Sequence, residues 1–527
     1  MRKQSRTGSV WQGSEKMAVY NLSLMAGYEV GGVDSAMGFR CKALESAGLD
    51  PRFLFMDFPT QREYDFYEKF GIKSHRMTLV SAAFSDCGTL QRTVSAEEII
   101  QQVSDSLNCD EVIRRGNYAI LARDHLQVAG VIMDNDPDPH VVGVQYMNQL
   151  CIIRVDYYTD YLYCTEYFSP VDLPGGLQAV LTRRSYWNRD HSVALEELHR
   201  LGQEAVYIFP NGDSCNRREL INRYFRRLKL TEADTLIIDR PQTFMPQEAL
   251  FTGKANIITV FHSEHMYQRG CSTIGVGLNR EYYYWFRNSD KIRTMVVSTE
   301  EQKRTLAEDL RHHGRKVPDI RVIPVAGIPS LQYPEEDRKP CSVICASRLE
   351  ERKKVTWAIQ AVVKAHEKDP RITMDIYGNG SPDYMGRLTR LIAEKHAEDY
   401  IRLMGFADLS QVYQNYELML TTSLWETLGI TSMEAAAAGC AIVGFDVRYG
   451  NRVFIDNGRN GFLVDYCPAH SEDECPPEVD GMADRIVEVF ADEDRLRRFH
   501  ERSYEIAEDY LSAKIEQAWV DLVKENG

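Results

Sequence analysis

The sequence lacks any uninterrupted apolar run that approaches the roughly 20 residues needed to span a bilayer. It also lacks an excess of positive charge, because 62 Lys and Arg residues against 77 Asp and Glu residues give a formal net charge of −15 at pH 7. This balance argues against a general nucleic-acid binder and against attachment to anionic lipid by charge alone. Residues 1–16 are polar and basic without an apolar core. We therefore expect a disordered tail there rather than a secretory signal.

The twelve cysteines form no CxxC pair, and several lie inside apolar runs, where a cysteine behaves as a small hydrophobic residue. The reducing cytoplasm fits this usage best. No Asp-x-Asp motif stands at the end of a predicted strand. We therefore expect neither a metal nor another cofactor.

The glycines after the first predicted strand, Val19–Met25, do not have the spacing of a dinucleotide-binding loop. Gly27, Gly31 and Gly32 give no G-x-G-x-x-G pattern. An NAD-dependent oxidoreductase is therefore only a remote alternative.

The chain has the length and composition of a globular protein with two or three domains. Its 527 residues are 44% hydrophobic and 26% charged. Buried strands alternate with helical patterns up to about residue 95 and again from Thr235. Between Ala96 and Phe209 the pattern changes to short alternating runs without helical crossovers, which predicts an antiparallel sheet.

The second half repeats the strand–helix alternation from Cys341 onwards. Four such alternations in a row predict a doubly wound parallel sheet. We also predict a helix from Leu409 to Tyr416 and a closing helix from Ser503 to Glu525.

The stretch from Leu418 to Asp446 reads as strand, loop, helix and strand. Glu426 falls in the loop and Glu434 in the helix. A carboxylate in such a loop stands at the carboxyl end of a parallel strand, where open α/β sheets bind ligands. Two glutamates eight residues apart also occur by chance, so spacing alone leaves a structural role open.

Three further side chains follow predicted strands. Arg348 and Lys353 come after Cys341–Ala346 and could neutralise a diphosphate, although such clusters are commonly a solvated helix face. His262 comes after Asn256–Phe261, where a lone histidine is more often a capped structural residue.

Several stretches together carry a family resemblance, beginning with the Glu426 to Glu434 element. The others are Gly32-Val33-Asp34, Cys164-Thr165-Glu166-Tyr167-Phe168, His262-Ser263-Glu264-His265 and Phe445-Asp446-Val447-Arg448-Tyr449-Gly450-Asn451. With them the chain resembles family 4 glycosyltransferases and, within these, the GtfA-type enzymes of accessory Sec systems.

The resemblance implies an α/β fold of the GT-B class, with two Rossmann-like doubly wound domains facing a cleft and an antiparallel β domain inserted in the N-terminal half. The implied boundaries are 17–95 with 210–330 for the N-terminal domain, 96–209 for the insertion, 335–505 for the C-terminal domain and 506–527 for a final helix.

The resemblance also implies the site. Its catalytic residues would be Arg348, Lys353, Glu426 and His262. The donor-binding residues would be Gly32, Val33, Asp34, Ser35, His262, Phe406, Ala407, Glu426, Thr427, Leu428, Gly429 and Glu434. The family often has E-G-F-G where this chain has Glu426 to Gly429, and Arg352 replaces a common glutamate. These departures leave the donor sugar open.

The implied activity is retaining transfer of a sugar, GlcNAc first among the candidates, from a UDP-sugar to Ser or Thr hydroxyls of a serine-rich repeat adhesin. A non-catalytic GtfB-type subunit would be the partner, in the cytoplasm or at the inner face of the membrane. The nearest alternative is a teichoic-acid α-glucosyltransferase that acts on poly-polyol phosphate. A second alternative is a non-catalytic subunit of the same family pair, although the intact set of Arg348, Lys353, Glu426 and Glu434 argues against it.

Overall fold

The structure, a computed structural model, describes residues 17–23, 32–58, 66–148, 151–239, 254–267, 277–467 and 475–526. The predicted tail at 1–16 and the glycines Gly27 and Gly31 lie outside these ranges. The chain forms two compact units. One comprises Met1–Thr259, Lys291–Arg293 and Leu522–Gly527, and the other comprises Val260–Asp290 and Thr294–Asp521. The domain boundaries given above stay predictions.

The first unit contains parallel strands whose short apolar runs are buried. In the order in which they lie side by side these are Asn256–Val260, Thr235–Ile238, Val19–Ser23, Pro51–Phe55 and Met77–Leu79, and the seven-stranded sheet continues beyond Asn256–Val260 with Thr294–Val297 and Asp319–Val322. The helices Gly32–Ser46 and Arg217–Leu228 belong to the same unit. Strands that are buried on both faces read as continuous hydrophobic runs, which is how the sequence predicted them.

The first unit also holds a ten-stranded antiparallel sheet, as predicted. Each strand pairs with the strand next to it in sequence. The strands are Glu111–Arg115, Tyr118–Arg123, Leu126–Met133, Val141–Asn148, Cys151–Tyr158, Leu162–Leu173, Gly176–Trp187, Val193–Leu198, Val206–Ile208 and Ser214–Asn216. The sequence interpretation missed the helix Ala96–Leu107 that precedes it. Its Ile99, Ile100 and Val103 repeat at helical spacing and pack onto this sheet.

The second unit contains a six-stranded parallel sheet, which confirms the predicted doubly wound arrangement. From edge to edge its strands are Ile401–Gly405, Thr373–Tyr377, Ser342–Ala346, Leu418–Thr421, Ala441–Phe445 and Gly461–Val464. In chain order this is 3-2-1-4-5-6, so the winding direction reverses between Ser342–Ala346 and Leu418–Thr421. Ligands of such sheets bind outside the carboxyl ends of the strands at this switch point.

The remaining elements of the chain are smaller. They are the hairpin Met266–Tyr267 with Gly277–Leu278, the parallel pair Thr294–Val297 with Asp319–Val322, and the helices Tyr283–Arg287, Glu300–His312, Val355–Lys368, Pro382–Glu394, Ile430–Ala437, Gly450–Phe454, Glu478–Phe490, Glu493–Ala507 and Ser512–Asn526. Among the residues that the structure describes, no helix is long and apolar enough to cross a bilayer.

Two helix predictions were wrong. The segment from Leu409 to Tyr416 contains only a short 3-10 turn at its end, Tyr413–Asn415. The Tyr416 hydroxyl donates to Asp375 at 2.6 Å, so tertiary packing holds this residue in extended backbone.

The predicted helix Ser503–Glu525 is two helices, Glu493–Ala507 and Ser512–Asn526. At the break, the backbone of Ile328 accepts from Ser512 N–H at 2.8 Å and donates to Tyr510 O at 2.9 Å. These backbone hydrogen bonds to Ile328, a residue distant in the sequence, therefore interrupt a segment whose local pattern favours a helix.

Candidate active site

The loop after Ser342–Ala346 carries Arg348 and is held by a glycine pair. Leu349 N–H donates to Asn379 O at 2.8 Å. A Cβ atom at Gly378 would lie 1.9 Å from Ser347 O, and one at Gly380 would lie 2.0 Å from Leu349 O. Only glycine allows two backbone segments to approach this closely. The Gly-Asn-Gly sequence thus fixes the path of the loop.

Lys353 is positioned by a hydroxyl from the neighbouring strand. It ends the 3-10 turn Glu351–Lys353, and Lys354 follows with a left-handed φ of 48°. Thr422 follows the strand Leu418–Thr421, and its Oγ1 donates to the carbonyl oxygens of Lys353 and Lys354, at 2.9 and 3.0 Å. The two strands at the switch point are therefore joined through their loops.

The same loops bring two predicted site residues together. Lys353 Nζ lies 2.5 Å from Glu426 Oε1, and the two side chains are 18% and 17% exposed. Arg348 lies elsewhere on its loop, is 56% exposed, and pairs with Glu350 at 3.3 Å. The geometry thus gives a largely desolvated ion pair at the switch point, with a second cation closer to solvent.

The segment Glu426 to Gly429 is anchored on both sides. Glu426 O accepts from the N–H groups of Tyr449 and Gly450 at 2.7 and 2.8 Å. Thr427 Oγ1 donates to His262 O at 3.0 Å. Leu428 is buried, and Gly429 begins the helix Ile430–Ala437. The unbonded N–H groups of that helix's first turn therefore lie beside Glu426.

His262 belongs to a segment that is fixed by buried polar contacts. Tyr282 Oη accepts from the N–H groups of His262 and Ser263 at 3.2 and 2.9 Å. Tyr449 Oη donates to Glu264 Oε1 at 2.6 Å. The buried His265 lies between two carboxylates, with Nε2 2.9 Å from Asp309 and Nδ1 3.4 Å from Glu264.

Glu434 stands on the helix Ile430–Ala437 and is partly buried. Burial raises the pKa of its carboxyl to about 7, against the lowering effect of the Tyr413 hydroxyl and with a smaller raising effect from Asp408. Phe406 is 79% exposed. It and Ala407 follow the edge strand Ile401–Gly405, so they lie at the same carboxyl edge but two strands away from Ser342–Ala346.

Gly32, Val33, Asp34 and Ser35 lie in the first unit, in the opening turn of the helix Gly32–Ser46. This helix comes after the strand Val19–Ser23, and its first N–H groups can face an anion. Asp34 is buried, and Tyr67 Oη donates to its Oδ1 at 2.9 Å.

The sequence interpretation missed three residues that hold the site together. Thr422, Glu264 and Tyr449 act through contacts that join distant parts of the chain. Glu264 and Tyr449 do stand inside two of the stretches quoted for the family resemblance. Thr422 follows a strand in a run of hydroxyl residues, and this was its only local signal.

One group of metal-suited side chains belongs to the first unit. Within the described ranges, it is the one group that could hold a metal ion, namely Asp134, Asp136 and His140. Asp134 and Asp136 form an Asp-x-Asp motif directly after the strand Leu126–Met133, a placement that the sequence interpretation missed. The residues around Lys353 and Glu426 instead combine cations with carboxylates and backbone N–H groups, a set suited to a sugar diphosphate.

Comparison with known proteins identifies the family of the chain. A family model described as "Glycosyl transferases group 1" matches residues 340–492, and one described as "GtfA extended beta-sheet domain" matches residues 112–211. The UDP-N-acetylglucosamine–peptide N-acetylglucosaminyltransferase GtfA subunit of Streptococcus gordonii is 35% identical over 510 residues. This alignment covers 97% of this chain and 99% of the relative.

Two solved structures are similar over the same extent. The pneumococcal O-GlcNAc transferase GtfA in complex with UDP and GlcNAc has a TM-score of 0.82 at 31% identity. A GtfA/B complex has a TM-score of 0.83 at 34% identity. Each comparison covers 97% of this chain and 99% of the other. The fold is therefore GT-B, as predicted.

A teichoic-acid relative matches much less of the chain. The poly(glycerol-phosphate) α-glucosyltransferase of Bacillus subtilis is 25% identical over 190 residues, which is 36% of this chain and 26% of the relative. The relatives at 31–35% identity, in contrast, match along almost their whole length. The chain belongs to the family of GtfA subunits, glycosyltransferases of the GT-B fold.

Proposed function

We propose that this glycosyltransferase moves GlcNAc from UDP-GlcNAc to Ser or Thr hydroxyls of a serine-rich repeat adhesin, with retention, as the first step of its O-glycosylation. The main observation that supports this proposal is the Lys353–Glu426 ion pair at the switch point of the second sheet, beside the start of the helix Ile430–Ala437. The relatives are UDP-N-acetylglucosamine–peptide N-acetylglucosaminyltransferase subunits, which supports the donor and the acceptor.

In this proposal Arg348 and Lys353 hold the pyrophosphate. The bond from C1 of the sugar to the diphosphate oxygen breaks while C1 bonds to the acceptor hydroxyl oxygen. The hydroxyl proton passes to the departing phosphate, which leaves on the face that the hydroxyl approaches. The two cations offset the negative charge that grows on the leaving group, so catalysis rests on positioning and electrostatics.

The other predicted residues take donor-binding roles. Glu426, Thr427, Leu428 and Gly429 contact the sugar with side chains and N–H groups, which their anchoring to Tyr449 and His262 supports. His262 also bonds sugar hydroxyls. Glu434 binds the ribose, and Phe406 and Ala407 border the uracil.

The proposal keeps Gly32, Val33, Asp34 and Ser35 as donor contacts. Their position in the first turn of a helix behind a parallel strand supports this role.

We also propose that the reaction requires no divalent cation. The side chains of Arg348 and Lys353 supply positive charge where a metal ion would otherwise neutralise the diphosphate. Their place on one loop after Ser342–Ala346 supports this assignment.

A GtfB-type non-catalytic subunit is the proposed partner, in the cytoplasm or peripherally at the inner face of the membrane. The similar solved GtfA/B complex supports the partner.

The experiment that tests the function is a donor screen. The chain, with and without a GtfB-type subunit, is incubated with UDP-GlcNAc, UDP-Glc or UDP-GalNAc and a serine-rich peptide, and UDP release is measured. The anomeric configuration of the glycopeptide is read by NMR. We expect peptide-dependent release from UDP-GlcNAc and an α-linked product. A β-linked product, or UDP release at a rate that does not depend on the peptide, would contradict the proposal.

The teichoic-acid alternative is tested in the same assay. Poly-polyol phosphate replaces the peptide, and UDP-glucose serves as the donor. Faster transfer to the polymer than to the peptide would favour the alternative. The short match to the Bacillus subtilis relative leads us to expect the opposite.

A further inference from the structure

The first unit contains a pocket of about 380 Å³ that the proposed reaction does not use. Tyr20, Arg52 and Arg76 contribute to its lining. These residues lie near the amino ends of the strands Val19–Ser23, Pro51–Phe55 and Met77–Leu79. The helix Gly32–Ser46, with its predicted donor contacts, follows the carboxyl end of the first of these strands. A five-residue strand separates its two ends by about 13 Å, so the pocket is distinct from that edge.

The walls of the pocket are cationic, although the chain as a whole is acidic. Arg52, Arg76 and Arg227 all line it, with Asp50 as the one carboxylate. Asp50 is 59% exposed and already pairs with Arg76 at 2.5 Å and with Arg52 at 3.2 Å. Glu45, outside the lining, also contacts Arg76, at 3.1 Å. Arginine forks are suited to planar or tetrahedral anions.

The Arg227 guanidinium retains hydrogen-bonding capacity. It makes one long hydrogen bond, 3.4 Å to Ala83 O. Within the described ranges no carboxylate lies within ion-pair distance of Arg227. The Arg76 side chain is 11% exposed, and its terminal nitrogens already bond to Asp50 and Glu45, so Arg76 contributes mainly its charge. An anion in the pocket would therefore pair with Arg227, a cation that has no carboxylate partner there.

The most buried residues of the pocket differ in chemistry from the arginines. We call them the floor: Leu54, Cys87, Tyr224 and Tyr20 line the pocket and are each less than 10% exposed. Burial raises the pKa of both tyrosine hydroxyls, so the floor stays uncharged at neutral pH. A neutral, partly aromatic floor beneath arginine side chains suits a ligand with a compact organic body and one strongly anionic group.

We propose that this pocket is a second ligand site, one that binds a compact organic phosphate of sugar-phosphate size. A phosphate monoester carries about −1.5 to −2 charge at pH 7 and offers three acceptor oxygens, which matches several guanidinium groups better than a single carboxylate does. The body of the ligand lies on Tyr20 and Tyr224, and its phosphate pairs with Arg227 and is attracted by the charge of Arg76.

The test is calorimetric titration of the full chain with glucosamine 1-phosphate in saturating UDP, which occupies the donor site. We expect binding that UDP does not abolish, with weaker binding of inorganic phosphate and none of glucosamine. Absence of binding, or binding that UDP abolishes, would overturn the proposal. Inorganic phosphate that binds equally well would overturn the role of the floor.

Two variants locate the binding. Arg227→Ala should weaken it about tenfold or more, as expected for loss of a hydrogen bond to a charged group. Arg226→Ala on the same helix is the matched control, because Arg226 is 56% exposed and pairs with Glu219. Gln91→Glu places a carboxylate among the lining residues, at an exposed position, and should weaken binding several-fold without disturbing the fold. Unchanged affinity in both Arg227→Ala and Gln91→Glu would refute the site.

Discussion

The ammonium group of Lys353 lies 2.5 Å from a carboxylate oxygen of Glu426, although 73 residues separate the two in sequence. Both side chains stand at the carboxyl ends of adjacent parallel strands. Before a donor binds, each charge therefore has a partner in a poorly solvated place. An arriving diphosphate would compete with Glu426 for the lysine and release the carboxylate towards the sugar hydroxyls. Under the proposed function, donor binding would therefore expose Glu426.

Replacing the lysine should abolish most transfer. In Lys353→Ala the diphosphate loses a cation and Glu426 loses its partner, so we expect kcat/KM to fall about 100-fold or more. The measurement is UDP release with a serine-rich peptide. Lys364→Ala is the control, because Lys364 forms an exposed pair with Asp480. Undiminished transfer in both Lys353→Ala and Arg348→Ala would contradict the proposal that these two side chains hold the pyrophosphate.

The Thr422 hydroxyl should matter through the lysine loop that it holds. Thr422→Val removes the donor to two carbonyl oxygens, so we expect a stability loss of about 1 kcal/mol and a several-fold higher KM for the UDP-sugar. Thr422→Ser retains the hydroxyl and should behave like the wild-type protein. Equal KM values for the two variants would show that the loop keeps its position without this contact.

Tyr449 should contribute mainly to stability. Tyr449→Phe leaves the Glu264 carboxylate without its 2.6 Å hydrogen bond, and we expect a loss of about 1–3 kcal/mol in urea unfolding. Tyr510→Phe is the control, since within the described ranges the Tyr510 hydroxyl has no hydrogen-bond partner. We expect its effect to stay within about 0.5 kcal/mol. Equal losses in the two variants would count against the Glu264 contact.

Glu434 should make stability depend on pH. Its folded pKa of about 7 lies above the ordinary value of 4.5, so the fold favours the protonated carboxyl. Ionisation therefore costs stability as the pH rises from about 4.5 to 7. Relative to Glu434→Gln, the wild-type protein should lose about 1–3 kcal/mol across this window and no more above it. Urea unfolding at pH 5, 6, 7 and 8 measures the difference, and parallel profiles would contradict the assignment.

Chelation should leave transfer unchanged. If Arg348 and Lys353 supply the charge at the diphosphate, peptide glycosylation in excess EDTA should equal that in Mg²⁺ within about twofold. Initial rates under both conditions are the measurement. A loss of activity in EDTA that Mg²⁺ or Mn²⁺ restores would show that a cation is required.

The sequence was sufficient to locate the strand ends of the second sheet, because each strand there is a short apolar run bounded by turn residues. The stretch from Leu418 to Asp446 contains the predicted succession of elements, with the helix Ile430–Ala437 and then the strand Ala441–Phe445, and Gly439 between them has a φ of 72°. These features depend on local chemistry. The adjacency of Ser342–Ala346 and Leu418–Thr421 then follows from the winding rule.

Contacts between residues that are distant in the sequence could not be predicted from the sequence alone. Nothing local shows that Thr422 bonds to the Lys353 carbonyl or that Tyr449 bonds to Glu264, since the partners are 69 and 185 positions apart in the sequence. The same limit explains the helix break near Leu511, where Ile328 pairs with the backbone. The role of each predicted donor contact also stays a prediction.

The ten-stranded sheet joins strands in the order in which the ribosome makes them. Each new strand can pair at once with its predecessor, so this part of the chain closes only short loops as it grows. The parallel strand Val19–Ser23 cannot pair with both neighbours at once, because one of them, Thr235–Ile238, is synthesised more than 200 residues later. Val19–Ser23, the first strand of the described residues, therefore lacks its neighbour Thr235–Ile238 until the antiparallel sheet has been synthesised. Co-translational folding would thus assemble the middle of the first unit before its beginning.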